Sequence, residues 1–442
     1  MEKSVQSAAL WTRLLPAGIR DARRFLHGNI LVIAITNGLG NFARAMVFPY
    51  ASLYILALGG NAATVGFIDA LFPLTGLLIF PLGGYIADHM GRVKIIGWAG
   101  FLAGGAIALF VFAPSWQFIA VATLLRGCSI CNSRPARPSL PIRSPRHRGG
   151  IATMNTVAGL LTIIAPYMAG LVVEAYGPNF GMRLLYAVMA VAYAGSGLIH
   201  MRWLTETSPN AGQRLNWREL PALLKRVYGS IPTTLRQLPR PLRPIAAVIV
   251  LSFMANAVVS PFWVIYAVEE IGLTETNWGL ILLLEATLRN IAYLPAGALV
   301  DRWGRARSLA AALTLALIAI PLFVWAPSFG VVLIIRLVVA INQAITVPAC
   351  TALLADLTPR RLRGQVMGAM GQGGIMLGSA GGGTGGPSVG FVTTVPLMAA
   401  SIMGGYLYTA NPTYPWLFLA GMVSVALILV VVFIRDPQAA EL

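Results

Sequence analysis

The chain has 442 residues, 57% hydrophobic and only 11% charged, with a mean hydropathy of +0.74; soluble domains carry about 25% charged residues. This balance excludes a soluble globular fold. The net charge of +17 does not point to nucleic acid, because the basic residues collect in short loops between apolar runs and form no aromatic-rich basic module. Three cysteines, Cys128, Cys131 and Cys350, are too few for a disulfide framework and lack the partners of a zinc set, so neither a metal nor a cofactor is expected.

Residues 1–28 mix Arg13, Arg20, Arg23 and Arg24 with Trp11, Leu14, Leu15 and Phe25, the pattern of an amphipathic segment lying on the membrane surface. Apolar runs of about 20 residues follow, long enough to cross a ~30 Å hydrocarbon core at 1.5 Å per residue. They predict spans at 29–57, 62–87, 94–113, 115–131, 150–174 and 182–203. A polar, basic linker covers 204–243, and further spans are predicted at 244–269, 276–300, 307–326, 328–355, 389–409 and 414–434. The expectation is an all-α membrane protein of twelve transmembrane helices in two six-helix bundles, 29–203 and 244–435, with a tail at 436–442. The loops around Arg92, Arg305 and Arg361 are basic, as are both flanking segments, whereas Arg183 alone falls on an opposite loop. This partition predicts a multi-pass protein of the plasma or inner membrane with both termini cytoplasmic.

Two segments depart from this pattern. Residues 128–147 are rich in Arg, Pro and Ser where the matching second-half segment reads as a helix, which we take as a local frame error or an irregular basic loop. Residues 371–390, half of them glycine, lengthen one half: Gly364 to Gly405 is 41 positions, Gly149 to Gly170 only 21. So much glycine disfavours a helix, and the favoured expectation is a flexible inner insertion rather than an unwound stretch facing a cavity.

The halves repeat each other. Gly84 maps onto Gly297 (297 − 84 = 213), and Gly66 onto Gly279 by the same offset. Tyr54 maps onto Tyr266 (266 − 54 = 212) and Pro49 onto Pro261 by that offset, and Arg126 onto Arg336 with 336 − 126 = 210. Such repeats imply a pseudo-two-fold relation with a substrate site between the bundles near mid-membrane.

The repeated motif is Gly84, Ile86, Ala87, Asp88, Gly91, Arg92, Lys94 in one half and Gly297, Leu299, Val300, Asp301, Gly304, Arg305, Arg307 in the other. It resembles the signature loop of the major facilitator superfamily. The resemblance implies a conformational latch in which glycine permits close helix approach, aspartate ends a helix and the cations line a tight turn. "APYMAG" at Ala165–Gly170 is similar to a proline-glycine element of the family's proton-coupled drug exporters, with Ala165 and Ala169 in place of glycine.

Ionisable groups inside a membrane cost several kcal/mol unless paired or hydrated. Arg44, Asp69, Arg126, Glu285, Arg289 and Arg336 fall within spans and are the coupling candidates. Glu285 and Arg289, at i and i+4, are close enough to pair, and 285 − 213 = 72 is a phenylalanine, so the pair belongs to one half alone. Asn37, Asn41, Tyr50, Tyr54, Asn256, Trp263, Tyr266, Asn342 and Gln343 lie on the spans that line the cavity of the resembled fold and are the substrate-contact candidates. No nucleophile–base set or nucleotide-binding loop is present, so no enzyme activity is expected. The expected function is alternating-access transport of a small organic solute by a monomer in lipid, with protons as coupling ion and efflux as direction. An uptake symporter, or a non-transporting sensor or scaffold on the same fold, is the alternative.

Overall fold

A computed structural model describes residues 29–90, 92–128, 145–204, 242–358 and 390–436, together with 229, 366, 369–371, 375 and 377–381. Residues 1–28 and most of the irregular segment 128–147, the linker and the tail lie outside these residues.

The first half holds α1 (Asn29–Val47), α2 (Ala51–Ala57), α3 (Ala62–Met90), α4 (Arg92–Val111), α5 (Trp116–Cys128) and α6 (Pro145–Trp203). The second holds α7 (Leu242–Val259), α8 (Phe262–Ile265), α9 (Glu275–Trp303), α10 (Arg305–Ala319), α11 (Phe329–Leu357), α12 (Phe391–Ala410) and α13 (Tyr414–Phe433). Proline sets the breaks in the first span of each half. Phe48–Tyr50 is a 3-10 turn around Pro49, and Pro261 precedes α8. Two predicted spans are fused in α6, which is interrupted only at Gly177, whose φ of 76° suits glycine. Together these elements make twelve spans in two bundles. Leu294, Leu102 and Val431 stand 86%, 65% and 66% exposed on the outer surface, a placement suited to lipid.

α1 and α4 pack on α6, and α3 on α5; in the second half, α9 and α10 pack on α11, and α7 and α10 on α13. The bundles meet along two seams, α3 with α12 and α6 with α9. Each half carries the same internal strut: Tyr54 Oη donates to the Phe110 carbonyl at 2.7 Å, and Tyr266 Oη to the Val324 carbonyl at 2.9 Å.

One local difference accounts for the change of offset from 212 to 213. In the first half the Leu58 N–H donates to the Tyr54 carbonyl, an α-helical bond; in the second the Ile271 N–H donates to the Tyr266 carbonyl, closing a π-helical turn over Tyr266–Glu270. The next glycines, Gly59 (φ 81°) and Gly272 (φ 78°), turn alike and are related by 272 − 59 = 213. The surplus residue is taken up inside the helix, before the turn.

Candidate functional site

Both seams are built on glycine. A Cβ on Gly279 would lie 2.7 Å from the Pro166 carbonyl and 2.7 Å from Tyr50 Oη, and one on Gly170 would lie 2.5 Å from the Glu275 carbonyl. On the other seam a Cβ on Gly66 would meet the Ser401 carbonyl and lie 3.0 Å from Gly405 Cα, and one on Gly405 would lie 2.8 Å from the Ala62 carbonyl. Gly66 and Gly279, matched in the repeat, thus hold matched positions in the interface. Tyr50 Oη bridges the α6–α9 seam, reaching the carbonyls of Pro166 at 2.9 Å and Glu275 at 3.1 Å, and the Thr276 N–H donates to Glu174 Oε2 at 3.0 Å. "APYMAG" is therefore the first half's face of this seam. These contacts lie toward the end of the molecule marked by Gly177 and Gly272, where the halves are zipped together.

Behind the α6–α9 seam lies a buried ion cluster. Glu285, 3% exposed, accepts from Arg336 Nε at 2.8 Å and Nη2 at 2.5 Å, both on Oε2. Arg289 Nη1 stands 3.5 Å from Glu285 Oε1 and donates to Gln343 Oε1 at 2.8 Å. The expected i,i+4 pair is present, but the tighter partner is Arg336 from α11, because its fully buried guanidinium has no water to turn to. That guanidinium lies 4.4 Å from the Trp263 ring centre and 5.6 Å from that of Trp278, and Nη1 donates to the Gly378 carbonyl at 2.7 Å. One carboxylate thus serves two guanidinium groups.

The first half repeats the arginine with a phenylalanine at the position of Glu285. Arg126 lies over Phe72 at 4.6 Å, Phe48 at 5.3 Å and Phe110 at 5.9 Å. Phe72, the counterpart of Glu285, offers a ring face where the other half offers a charge. Arg126, Asp69, Phe48, Phe72, Phe110 and Tyr186, with Pro261 of the second half, line a cavity of about 50 Å³.

The remaining candidates are scattered. Asn37 is exposed, and Arg44 donates to Asn41 within α1. The hydroxyls of Tyr54 and Tyr266 are engaged in their struts, a feature repeated in both halves. Asn342 accepts from Thr346 at 3.1 Å on the same helix. Asn256, Trp263 and Gln343 gather around the Arg336 cluster. The Gly-rich stretch corrects the favoured expectation at its described positions: Ile375, Leu377 and Gly378 are buried and unwound inside the second half, because polar side chains there bind its backbone.

The side chains of the first motif copy, at Gly84, Asp88, Gly91, Arg92 and Lys94, lie outside the described residues. In the second copy Gly304 (φ 94°) makes the tight turn, but a Cβ on Gly297 would meet nothing within 4 Å, so that glycine is not needed for close approach. Asp301 and Arg307 are exposed, and Asp301 forms no ion pair among the described residues; Arg305 pairs with Asp356 at the end of α11. The Ala306 N–H, at the start of α10, donates to Asp436 Oδ1 at 2.7 Å. Sequence reasoning missed Asp356 and Asp436. The Ala-Asp ending of α11 carried a signal for the first, while Asp436 sits 130 residues from its partner with no local pattern to reveal it.

The sequence profile described as Major Facilitator Superfamily matches residues 33–244 and 245–442. The uncharacterized MFS-type transporter YqjV of Bacillus subtilis (strain 168) is 32% identical over 105 residues, 22% of this chain and 25% of the relative. YhjO of the same organism, also an uncharacterized MFS-type transporter, is 26% identical over 192 residues, 43% of each chain. The chain thus spans less than half the length of either curated relative. Among solved structures, a bacterial homologue of the iron transporter ferroportin in an inward-facing state is similar at TM-score 0.67 and 17% identity, covering 95% of this chain and 99% of that one. A D-xylose-proton symporter is similar at TM-score 0.61 and 16% identity, covering 92% and 98%. At such identities these structures establish the fold.

Proposed function

The chain belongs to the major facilitator superfamily, and on that premise we propose that it is a proton-coupled exporter of a small organic solute, with Glu285 as the proton-exchanging group. It is a multi-pass membrane transporter of the secondary type. The observation that carries the coupling is one buried carboxylate held between two guanidinium groups. Protonating Glu285 removes the one negative charge of the cluster among the described residues and leaves Arg336 and Arg289 facing each other in a poor solvent for charge. Arg289, with its side chain 23% exposed, is the one able to swing away. Because Glu285 and Arg289 stand on α9, which forms one seam, that movement is transmitted to the interface between the halves. Efflux is supported by the likeness of "APYMAG" to exporters and by its place in the seam. The basic loops support an orientation with the Gly304 end, and both termini, on the cytoplasmic side.

The test uses purified protein in lipid nanodiscs. Trp263 and Trp278 flank Arg336, so their emission should titrate with pH in the wild type and lose that response in Glu285→Gln. In proteoliposomes, transport of a solute identified by thermal stabilisation should lose its dependence on the proton gradient in the same variant while binding is kept. A wild-type gradient response in Glu285→Gln removes Glu285 from the coupling role.

A further inference from the structure

The Gly-rich excursion has a length and a closure. The second half exceeds the first by 41 − 21 = 20 positions between matched glycines, and 371–390 is 20 residues long. Gly371 and Gly390 lie against each other: a Cβ on Gly390 would fall onto the Ala369 carbonyl and the Gly371 nitrogen. The chain therefore leaves at one point of a helical path and returns to the same point, where α12 begins.

The described residues of the excursion sit on polar side chains, among them Asn256 and Gln343, which the sequence points to as solute contacts, and Arg336, a coupling candidate. The Leu377 carbonyl accepts from Gln343 Nε2 at 3.2 Å, and the Gly378 carbonyl from Arg336 Nη1 at 2.7 Å. The Ser379 N–H donates to Asn256 Oδ1 at 3.0 Å. Gly381 donates its N–H to the Ser260 carbonyl at 3.2 Å, and its own carbonyl accepts from Ser260 Oγ at 2.5 Å. Every one of these bonds is made by excursion backbone. Glycine is required for the fit: Gly378 (φ 76°) would bring a Cβ to 2.8 Å from Val339 Cγ1, and Gly381 (φ 111°) to 3.2 Å from the Phe48 carbonyl across the interface.

We propose that residues 377–381 are a tethered pseudo-ligand, and that the site formed by Asn256, Ser260, Arg336 and Gln343 takes a solute bearing adjacent amide-type carbonyl acceptors and N–H donors. Two carbonyls meet two cationic or amide donors, and the next N–H meets an amide oxygen, so the pattern read is that of a short peptide or a similar polyamide. The proposal rests on the reading of the chain as a transporter, and it names the solute class. A tethered occupant competes at an effective concentration on the order of millimolar, so the free site is masked until the segment leaves. Because Gly381 also abuts Phe48, departure of the segment loosens the contact between the halves.

The experiment titrates the acetylated, amidated tripeptide Leu-Gly-Ser, which reproduces residues 377–379, into full-length protein in nanodiscs. Gly378→Val, which cannot seat the segment, should bind the peptide at least about 10-fold more tightly than wild type, by analogy with removing any intramolecular competitor. Equal or weaker binding by a variant that elutes as a monodisperse peak overturns the proposal. Should Gly378→Val fail to fold, Ser379→Cys in a background lacking the native cysteines gives a second readout. Its maleimide labelling should be slow alone and accelerate with saturating peptide; an unchanged rate overturns the proposal equally. These readouts need neither transport nor a proton gradient, so a failure of the proton-coupling reading leaves them intact and distinguishable.

Discussion

Replacing Gly279 by leucine is the most direct way to pry the halves apart. The nearest atoms, the Pro166 carbonyl and Tyr50 Oη, lie 2.7 Å from where a Cβ would stand, and Tyr167 Cα 2.9 Å away. Ordinary contact begins near 3.4 Å, so even a methyl group demands that α6 and α9 separate by about 0.7 Å, and leucine demands more. At that spacing the one Tyr50 hydroxyl proton, now shared between carbonyls at 2.9 and 3.1 Å, can no longer bridge the two helices. That shared bond is worth about 0.5–1.5 kcal/mol, so the zipped arrangement loses about 1 kcal/mol, a population shift of roughly 5-fold, before the cost of the clash itself. Spin labels at Tyr176 and Tyr414, both exposed near this end, would report the change by pulsed electron resonance. Gly279→Leu should move most of the distribution to longer distances, and Tyr50→Phe, which removes the bonds without the clash, should move a smaller part. A folded Gly279→Leu protein with the wild-type distribution would refute the idea that the α6–α9 glycine seam holds the halves together.

At the opposite end, Asp356→Asn should release Arg305 and slow turnover several-fold while leaving solute affinity within about two-fold, whereas Asp301→Asn, on an exposed residue without an ion pair among the described residues, should change neither; transport lost in Asp301→Asn alone would reverse this assignment. For topology, a cysteine in place of exposed Trp303 should resist a membrane-impermeant reagent in intact cells, while one in place of Tyr176 should react. Labelling of the first would invert the orientation.

The spans were legible because lipid imposes a length and a composition that apolar runs report directly, and the twelve predicted segments agree with the helices to within a few residues. The repeat was legible too, since Gly66 and Gly279 hold equivalent positions in the chain and, as it proves, in the interface. What stayed hidden depends on distance. The i,i+4 rule finds Arg289 for Glu285 because both share a helix turn, but it is blind to Arg336, 51 residues on, whose capture depends on the packing of α9 against α11. For Tyr54 and Tyr266 the sequence offers only aromatic hydroxyls on cavity-lining spans. Only the carbonyls opposite them reveal struts. Glycine content argued against helix in 371–390, and the described positions 375 and 377–381 are unwound, yet composition carries no information on whether such a backbone finds partners, and here Arg336, Gln343 and Asn256 supply them.

The π-helical turn at Tyr266–Glu270 shows how a duplicated scaffold tolerates a change in length. A single extra residue placed in a helix would normally rotate everything beyond it by about 100°, turning Gly279 away from Pro166 and Tyr50. Wound into one widened turn, it leaves both the Gly272 turn and the seam in phase with their counterparts. The bulge acts as a shim: it keeps two halves of unequal length closing on matched teeth, and it concentrates the slack of the second half in one short turn beside the aromatic ring of Trp416, 4.9 Å from Tyr266.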